Sequence, residues 1–345
     1  MSVKFFDIKK IDKPKITEFH RILDEFIASG HYVQGNMLKT FEMEYAQYCN
    51  TSHCCGVSNG LDAIYLSLKA IDIGPGDEVI VPSNTYIATW IAVLNTGATV
   101  VPVEPNPKTF IIETSAVLEK ISSKTRAIIP VHLYGQCVDT KALRHQIRNA
   151  EIAIIDDAAQ AHGAHREDQA LGEYSDMVCW SFYPGKNLGC LGDGGAITTN
   201  NSSLDHKLRI LRNYGSQEKY HNSYISGNHR LDELQAGFLR VKLKYLNSEN
   251  KKRQENAKQY LNKIKNPKVT LPDYSFLAGH VWHQFVIKTE CRDRLAQALN
   301  EHHVQTLIHY PIPPHRQNAL KHTKYEALSL PIAEQLATTI NKTEL

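Results

Sequence analysis

The chain has 345 residues, room for two domains or for one large α/β domain with an appendage. Hydrophobic residues make up 42% and charged residues 22%, which excludes a disordered, collagenous or coiled-coil chain. Lys+Arg 39 against Asp+Glu 36 leaves +3, too balanced for a protein whose work is to grip a nucleic-acid backbone. Met1–Lys10 shows no cationic stretch leading into an apolar one, and no apolar run is long enough to span a bilayer, so no membrane partner is expected. The seven cysteines are scattered without a CxxC pair. They read as reduced thiols of a cytoplasmic protein.

In chain order, the first element is an amphipathic helix over Lys15–Ala28, stopped by Gly30. From Ser58 to Asn200 short β-branched runs alternate with helical stretches. The strands are expected at Glu78–Pro82, Thr99–Glu104, Ala127–Val131, Ile152–Asp156, Met177–Phe182 and Gly195–Thr199. Between them, Leu61, Ile64, Leu68 and Ile71, and then Ile87, Ile91 and Leu94, keep helical spacing. Such alternation predicts an α/β fold with a mainly parallel sheet, helices on both faces, and ligands at the carboxyl ends of the strands. Arg230–Ile264 then reads as one long helix, or two with a break. A smaller unit follows, with a strand at His280–Lys288, a helix at Arg292–His303 and a proline-rich loop at Tyr310–Pro314. The expected division is a large domain over 1–245 and a smaller α/β domain over 246–345.

Four stretches carry residues suited to chemistry, and each alone has an ordinary reading. VSNGLDA at 57–63 places small polar residues before a helix, so its free N–H groups suit a phosphate; an ordinary capped helix has the same pattern, and the GK[ST] of a P-loop is absent. IAIIDDAAQAHGA at 152–164 ends a buried strand in two acids, a place from which a carboxylate can hold a proton on a heteroaromatic nitrogen, or bind a metal or ribose. His162 and His165 lack a third strong ligand and read as loop or pocket histidines rather than metal ligands. WSFYPGKNLG at 180–189 sets Lys186 between a hydrophobic strand and a glycine-rich turn, where desolvation would make a lysine nucleophilic; most lysines are merely solvated. GNHRLDELQA at 227–236 is either a helix cap or an arm delivered to a neighbouring active site. Together, a phosphate cradle, an acid at a strand end and a lysine on the next strand meet the needs of pyridoxal phosphate: an amine for a Schiff base, a partner for the pyridine nitrogen, and amides for the phosphate.

In these blocks the chain resembles the DegT/DnrJ/EryC1/StrS family of pyridoxal-phosphate-dependent nucleotide-sugar aminotransferases. GHYVQGNMLKTFE, GVSNGLDA, GDEVIVPSNTYIAT, PVHLYGQ, DDAAQAHGA, SFYPGKNLG, GDGGAI, NHRLDELQA and HYPIPPH all stand in the family's order between Phe5 and Ala333. The resemblance implies the aspartate aminotransferase architecture, fold type I, and a cofactor that alternates between pyridoxal and pyridoxamine phosphate. Carried over by position, Lys186 would form the Schiff base and shuttle a proton. Asp157 would bind the pyridinium nitrogen, Gln160 would contact the ring oxygen, and Tyr86 would stack on the ring face. Gly60, the Leu61 backbone and Ser181 would hold the phosphate, joined by Asn228 from the other subunit of a homodimer with shared active sites. Leu61 stands where many relatives carry Thr or Ser, so a side-chain phosphate contact is lost. Tyr183, His309 and Tyr310 would flank the sugar nucleotide. Family members usually continue beyond the point matching Leu345 with a further strand and helix.

The activity so implied is transfer of an amino group from glutamate to the 3-keto carbon of a dTDP-linked 6-deoxyhexosulose. The product, a dTDP-3-amino-3,6-dideoxyhexose, would serve an O-antigen, an S-layer glycan or a secondary metabolite. The alternatives within the family are a UDP-2-acetamido-3-keto sugar and a 4-keto sugar as acceptor. Outside it, the alternative is a non-catalytic sugar-binding or regulatory protein that kept the fold, against which Lys186 and Asp157 argue. A Rossmann dehydrogenase would need GxGxxG after its first core strand, which is missing.

Overall fold

The computed structural model of the chain describes residues 3–147, 151–167, 169–272 and 279–343. Seven strands form the main sheet: β1 His53–Val57, β2 Glu78–Pro82, β3 Thr99–Val103, β4 Thr125–Ile128, β5 Ala153–Asp157, β6 Met177–Ser181 and β7 Gly195–Thr199. Their spatial order is β1-β7-β6-β5-β4-β2-β3. The run from β3 to β6 is parallel, and β7 is antiparallel to both β6 and β1. The expected α/β fold is therefore observed. β1 was not foreseen, because HCCGV carries little β-branched character, and it pairs as a sheet edge through Val57↔Gly195 and its neighbours.

Near-continuous apolar runs such as EVIVP suit strands covered on both faces. Along β2, Val79 and Val81 join one core cluster while Ile80 joins another, as the two-residue period of a strand requires. Along β5 the same alternation sends Ile155 to the first cluster and Ile154 to the second. Asp157 therefore shares the Ile155 face, the one covered by α3 (Gly60–Ala70) and α4 (Ile87–Asn95), and Asp156 faces the other way. That register decides which acid meets the site.

The flanking helices are fixed by buried charge. α1 (Ile16–Ser29) ends at Gly30, whose φ of 63° is left-handed and suits glycine. α2 (Asn36–Tyr48) has no cap from its own leading residue. The buried Glu233 carboxylate instead accepts N–H bonds from Gly35, Met37 and Leu38 at 2.8, 2.6 and 3.1 Å. Glu42 of α2 takes the Gly56 N–H of β1 at 2.8 Å and pairs with Arg209 at 2.8 Å and with Arg212. Both arginines lie at the end of α5 (Ser202–Leu211 and its cap residue Arg212). The strand leading into VSNG is thereby held from one side.

Arg230–Ile264 is two helices, α6 Glu233–Leu243 and α7 Leu246–Lys263, broken at Lys244–Tyr245. The strand expected from His280 is only Phe285–Lys288, here β8, antiparallel to Ile340–Thr343, β9. The preceding residues bond elsewhere: the Val281 N–H goes to the Gly135 carbonyl at 2.9 Å and the Gln284 N–H to that of Tyr134 at 3.3 Å. This diversion ties the chain's later part to the loop beyond β4. Among the described residues, no helix is long and apolar enough to cross a membrane.

Candidate active site

At the carboxyl ends of β5 and β6, where open α/β sheets place their ligands, lies a cavity of about 620 Å³. Gly60, Leu61, Tyr86, Asp157, Gln160, Ser181, Tyr183, Lys186, His309 and Tyr310 all border it. Ten of the eleven expected site residues thus come together from a stretch of some 250 positions. Asn228 does not. It is exposed, in a bridge to Asn213, and lies outside the cavity of its own chain.

One wall is the start of α3. Asn59 caps it, its side chain accepting the Asp62 N–H at 2.8 Å and its carbonyl the Ala63 N–H at 3.0 Å. The N–H groups of Gly60 and Leu61 belong to the first turn and border the cavity, so they suit an anion. A Cβ on Gly60 would stand 2.6 Å from Cβ of Ser181. Only glycine lets the helix start and the Ser181 hydroxyl approach from opposite sides. Asp62 is turned away, receiving Ser58 and pairing with His229 at 3.0 Å, so its charge does not occupy the cradle.

Asp157 lines the cavity and is 6% exposed. The Thr89 hydroxyl donates to its Oδ2 at 2.9 Å and the Ala159 N–H to its Oδ1 at 3.2 Å. Burial raises its pKa, opposed by those two donors and by the charges of Lys186 and His132. Asp156 accepts from Ser175 at 2.8 Å and faces His132 at 3.4 Å on the other side of the sheet.

Lys186 follows β6 in a tight turn. Its N–H bonds the Tyr183 carbonyl at 2.8 Å, and a Cβ on Gly189 would meet the Tyr183 and Pro184 carbonyls at 2.7 Å. Burial lowers its pKa to about 8, against the opposing charge of Asp157. The next residue, Asn187, is locked. Its Nδ2 donates to Asn250 Oδ1 at 2.9 Å and to the Val281 carbonyl at 3.0 Å, and its Oδ1 lies 3.0 Å from His283 Nδ1. The turn bearing Lys186 is thus bolted to α7 and to the segment before β8.

Gln160 bridges two elements, accepting the Tyr134 N–H at 2.7 Å and donating to the Tyr310 hydroxyl at 3.1 Å. The Tyr86 and Tyr310 rings lie 5.2 Å apart. His162 is buried among Trp180 and Phe182, with ring centroids at 5.4 and 5.7 Å, and burial and the Lys186 charge hold it neutral, at a pKa of about 3. His165 is exposed, so the two histidines do not converge. Among the described residues, no group of three or more His, Cys, Asp or Glu could hold a metal ion. Sequence reasoning missed Thr89, Asn187, His283, Arg253, Phe5 and Phe6. Of these, Thr89 carried a signal: it lies two positions from Ile87 and Ile91 and so faces away from their stripe.

The donor set fits pyridoxal phosphate. A glycine cradle with a facing hydroxyl suits the phosphate. A desolvated carboxylate whose pKa is raised by burial suits a protonated ring nitrogen, and a lysine near pKa 8 suits a Schiff-base amine. The comparisons agree. The chain belongs to the DegT/DnrJ/EryC1/StrS aminotransferase family, whose sequence profile matches residues 14–342. It is 46% identical over 338 residues to the dTDP-3-amino-3,6-dideoxy-alpha-D-galactopyranose transaminase of Aneurinibacillus thermoaerophilus, covering 98% of this chain and 93% of that one. Among solved structures it is similar to S. venezuelae DesV in complex with a ketimine intermediate, at a TM-score of 0.95 and 43% identity, over 100% of this chain and 93% of that one. It is also similar to NtdA from Bacillus subtilis with bound pyridoxamine phosphate, at a TM-score of 0.93 and 33% identity, over 100% and 80%. The protein is an aminotransferase that uses pyridoxal phosphate.

The Lys186 shift gives a test on the apoprotein. With a pKa lowered to about 8, the side chain is protonated below that pH and a neutral amine above it. Stopped-flow absorbance should show capture of pyridoxal phosphate accelerating as pH rises through about 8, then levelling. Asp157→Asn removes the charge that props the ammonium and should move the inflection lower. An inflection near the ordinary lysine value of about 10.4 would contradict the assignment.

Proposed function

We propose that the protein transfers the amino group of glutamate to the 3-keto carbon of a dTDP-linked 6-deoxyhexosulose, yielding a dTDP-3-amino-3,6-dideoxyhexose. The observation that carries this reading is the meeting of Lys186 and Asp157 in one cavity with the start of α3. The product named for the 46% identical relative supports the choice of sugar. The reaction is assigned to the cytoplasm, in keeping with seven free cysteines. Its product would enter a glycan such as an O-antigen or S-layer, or a secondary metabolite.

Bound pyridoxal phosphate supplies an electron sink for the bond broken at the amine-bearing carbon. The chain's own residues do the rest. The Asp157 carboxylate, aimed by Thr89 and the Ala159 N–H, would hold a proton on the ring nitrogen. The N–H groups of Gly60 and Leu61 and the Ser181 hydroxyl would hold the phosphate. Tyr86 would cover one ring face, and Gln160, which holds Tyr310 and the Tyr134 backbone in place, would contact the ring oxygen. Lys186 Nζ would carry a proton from the donor's α-carbon to the cofactor in the first half-reaction and from the cofactor to the sugar carbon in the second; a pKa of about 8 lets it do both near neutrality. Tyr183, His309 and Tyr310 flank the substrate. Glutamate and keto-sugar use the same cavity in turn, so ping-pong kinetics follow.

Incubation with glutamate and a panel of dTDP- and UDP-linked keto-sugars, with the new amine located by NMR, tests the reading. The expected product carries nitrogen at C3 of the dTDP-6-deoxy sugar. Amination at C4, or better turnover of a UDP-2-acetamido sugar, would overturn it.

Asn228 lies outside its own cavity, before the arm of α6, and on this reading it serves the partner's phosphate site in a two-fold dimer. Lys186→Ala and Asn228→Ala protomers, each impaired alone, should then regain activity when mixed, since each hybrid holds one site with both residues intact. A fully active monomer in sedimentation would refute the shared site.

A further inference from the structure

Part of the cavity lining is apolar where the segment from Val3 to Phe6 meets the segment from Val304 to Leu307. Val3 runs parallel to Val304, its N–H on the His303 carbonyl at 2.8 Å and its carbonyl taking the Gln305 N–H at 2.9 Å. The Phe5 N–H donates to Gln305 Oε1 at 3.0 Å. Beyond it, Asp7 caps the short helix Ile8–Asp12, accepting the Lys10 N–H at 3.2 Å. Asp12 pairs with Lys242 at 3.1 Å, and the buried Lys15 pairs with Glu249 at 2.6 Å. This first segment is thus anchored on both sides of Phe5 and Phe6. Both phenylalanines border the cavity, together with Leu307, and the Phe5 ring stacks beside His309 at 6.4 Å.

The cavity is accordingly two-sided. Asp157, Gln160, Ser181 and Lys186 give it polar surface, whereas Phe5, Phe6 and the exposed Leu307 present hydrocarbon. A hydroxymethyl, carboxylate or acetamido group set against that wall would lose hydrogen bonds to water without replacement. A methyl group would instead gain from leaving water.

Resting on the substrate class proposed above, we infer that Phe5, Phe6 and Leu307 form the specificity wall for the C6 methyl of a 6-deoxy sugar. The wall selects against the 6-hydroxy analogue. An apolar pocket rejects an added hydroxyl by about 10²-fold at most, so the selectivity is a graded ratio of kcat/KM. Phe5 and Phe6 do not touch the reacting atoms and leave the glutamate half-reaction alone.

The test runs the reaction in reverse on the holoenzyme, with a dTDP-3-amino-3,6-dideoxyhexose and its 6-hydroxy counterpart, followed by cofactor absorbance. Wild-type enzyme should prefer the 6-deoxy sugar by roughly 10- to 100-fold in kcat/KM. Phe6→Ala and Phe5→Ala should shrink that ratio several-fold, mainly through KM, while Phe6→Leu retains most of it. The glutamate half-reaction and competitive inhibition by dTDP alone should be unchanged. An unchanged ratio in alanine variants that melt like wild type would overturn the inference. Loss of dTDP affinity equal to the loss for the sugar would overturn it too, since the wall would then be gripping the base. Wild-type enzyme that turns over neither sugar would overturn the proposed substrate and the wall together, whereas normal turnover with an unaltered ratio overturns the wall alone.

Discussion

A carboxylate buried at the end of the central strand is the constraint on which the rest depends. Removing Asp157 from water costs free energy that two hydrogen bonds only partly return. Its pKa rises while that of Lys186 falls. Burial dominates both shifts and pushes each group towards its neutral form; their mutual attraction opposes both. A protonated ring nitrogen beside Asp157 would add a cation that favours its ionised form against burial. Functional sites are where such perturbed pairs are retained at a cost to stability.

The surrounding architecture holds that pair in place. The alternation along β5 sends Asp157 to the face covered by α4, where Thr89 meets it, and sends Asp156 to Ser175 and His132. Asn187 binds the Lys186 turn to Asn250 of α7 and to Val281. Gln160 connects the loop after β5 to Tyr134 and Tyr310. Residues far apart in the chain thus fix one another through side-chain to backbone bonds, the kind of support that keeps reacting groups within a fraction of an ångström of their working positions.

Much of this was legible in the sequence. The β-branched runs announced β2 and β7 to the residue, and β3, β5 and β6 within one residue at either end. DDAAQ and SFYPGKNLG, each ordinary alone, marked the acid and the lysine through their combination with VSNGLDA and through the family resemblance. Other parts left no local trace. β1 lacks β-branched character, and only its pairing with β7 makes HCCGV a strand. His280–Gln284 has strand composition, but its backbone bonds are drawn to Tyr134 and Gly135. Asn187 and His283 read as ordinary polar residues until their partners from distant elements are seen. Phe5 and Phe6 were invisible as site residues, since nothing local says that a segment near residue 5 pairs with residue 305. Contacts of that range follow from tertiary packing and not from pattern.

The most direct test of the account is to compare Asp157→Asn with Asp156→Asn in single-turnover reaction with glutamate, monitored at the cofactor's absorbance. A hydrogen bond to a charged group contributes roughly 1.5–3 kcal/mol, so Asp157→Asn should bind cofactor yet react at least tenfold to a few hundredfold more slowly. Asp156→Asn, facing Ser175 and His132 across the sheet, should react at close to the wild-type rate and show its effect in melting temperature. If Asp156→Asn is the slower enzyme, the register of β5 and the role of its carboxylate are both wrong.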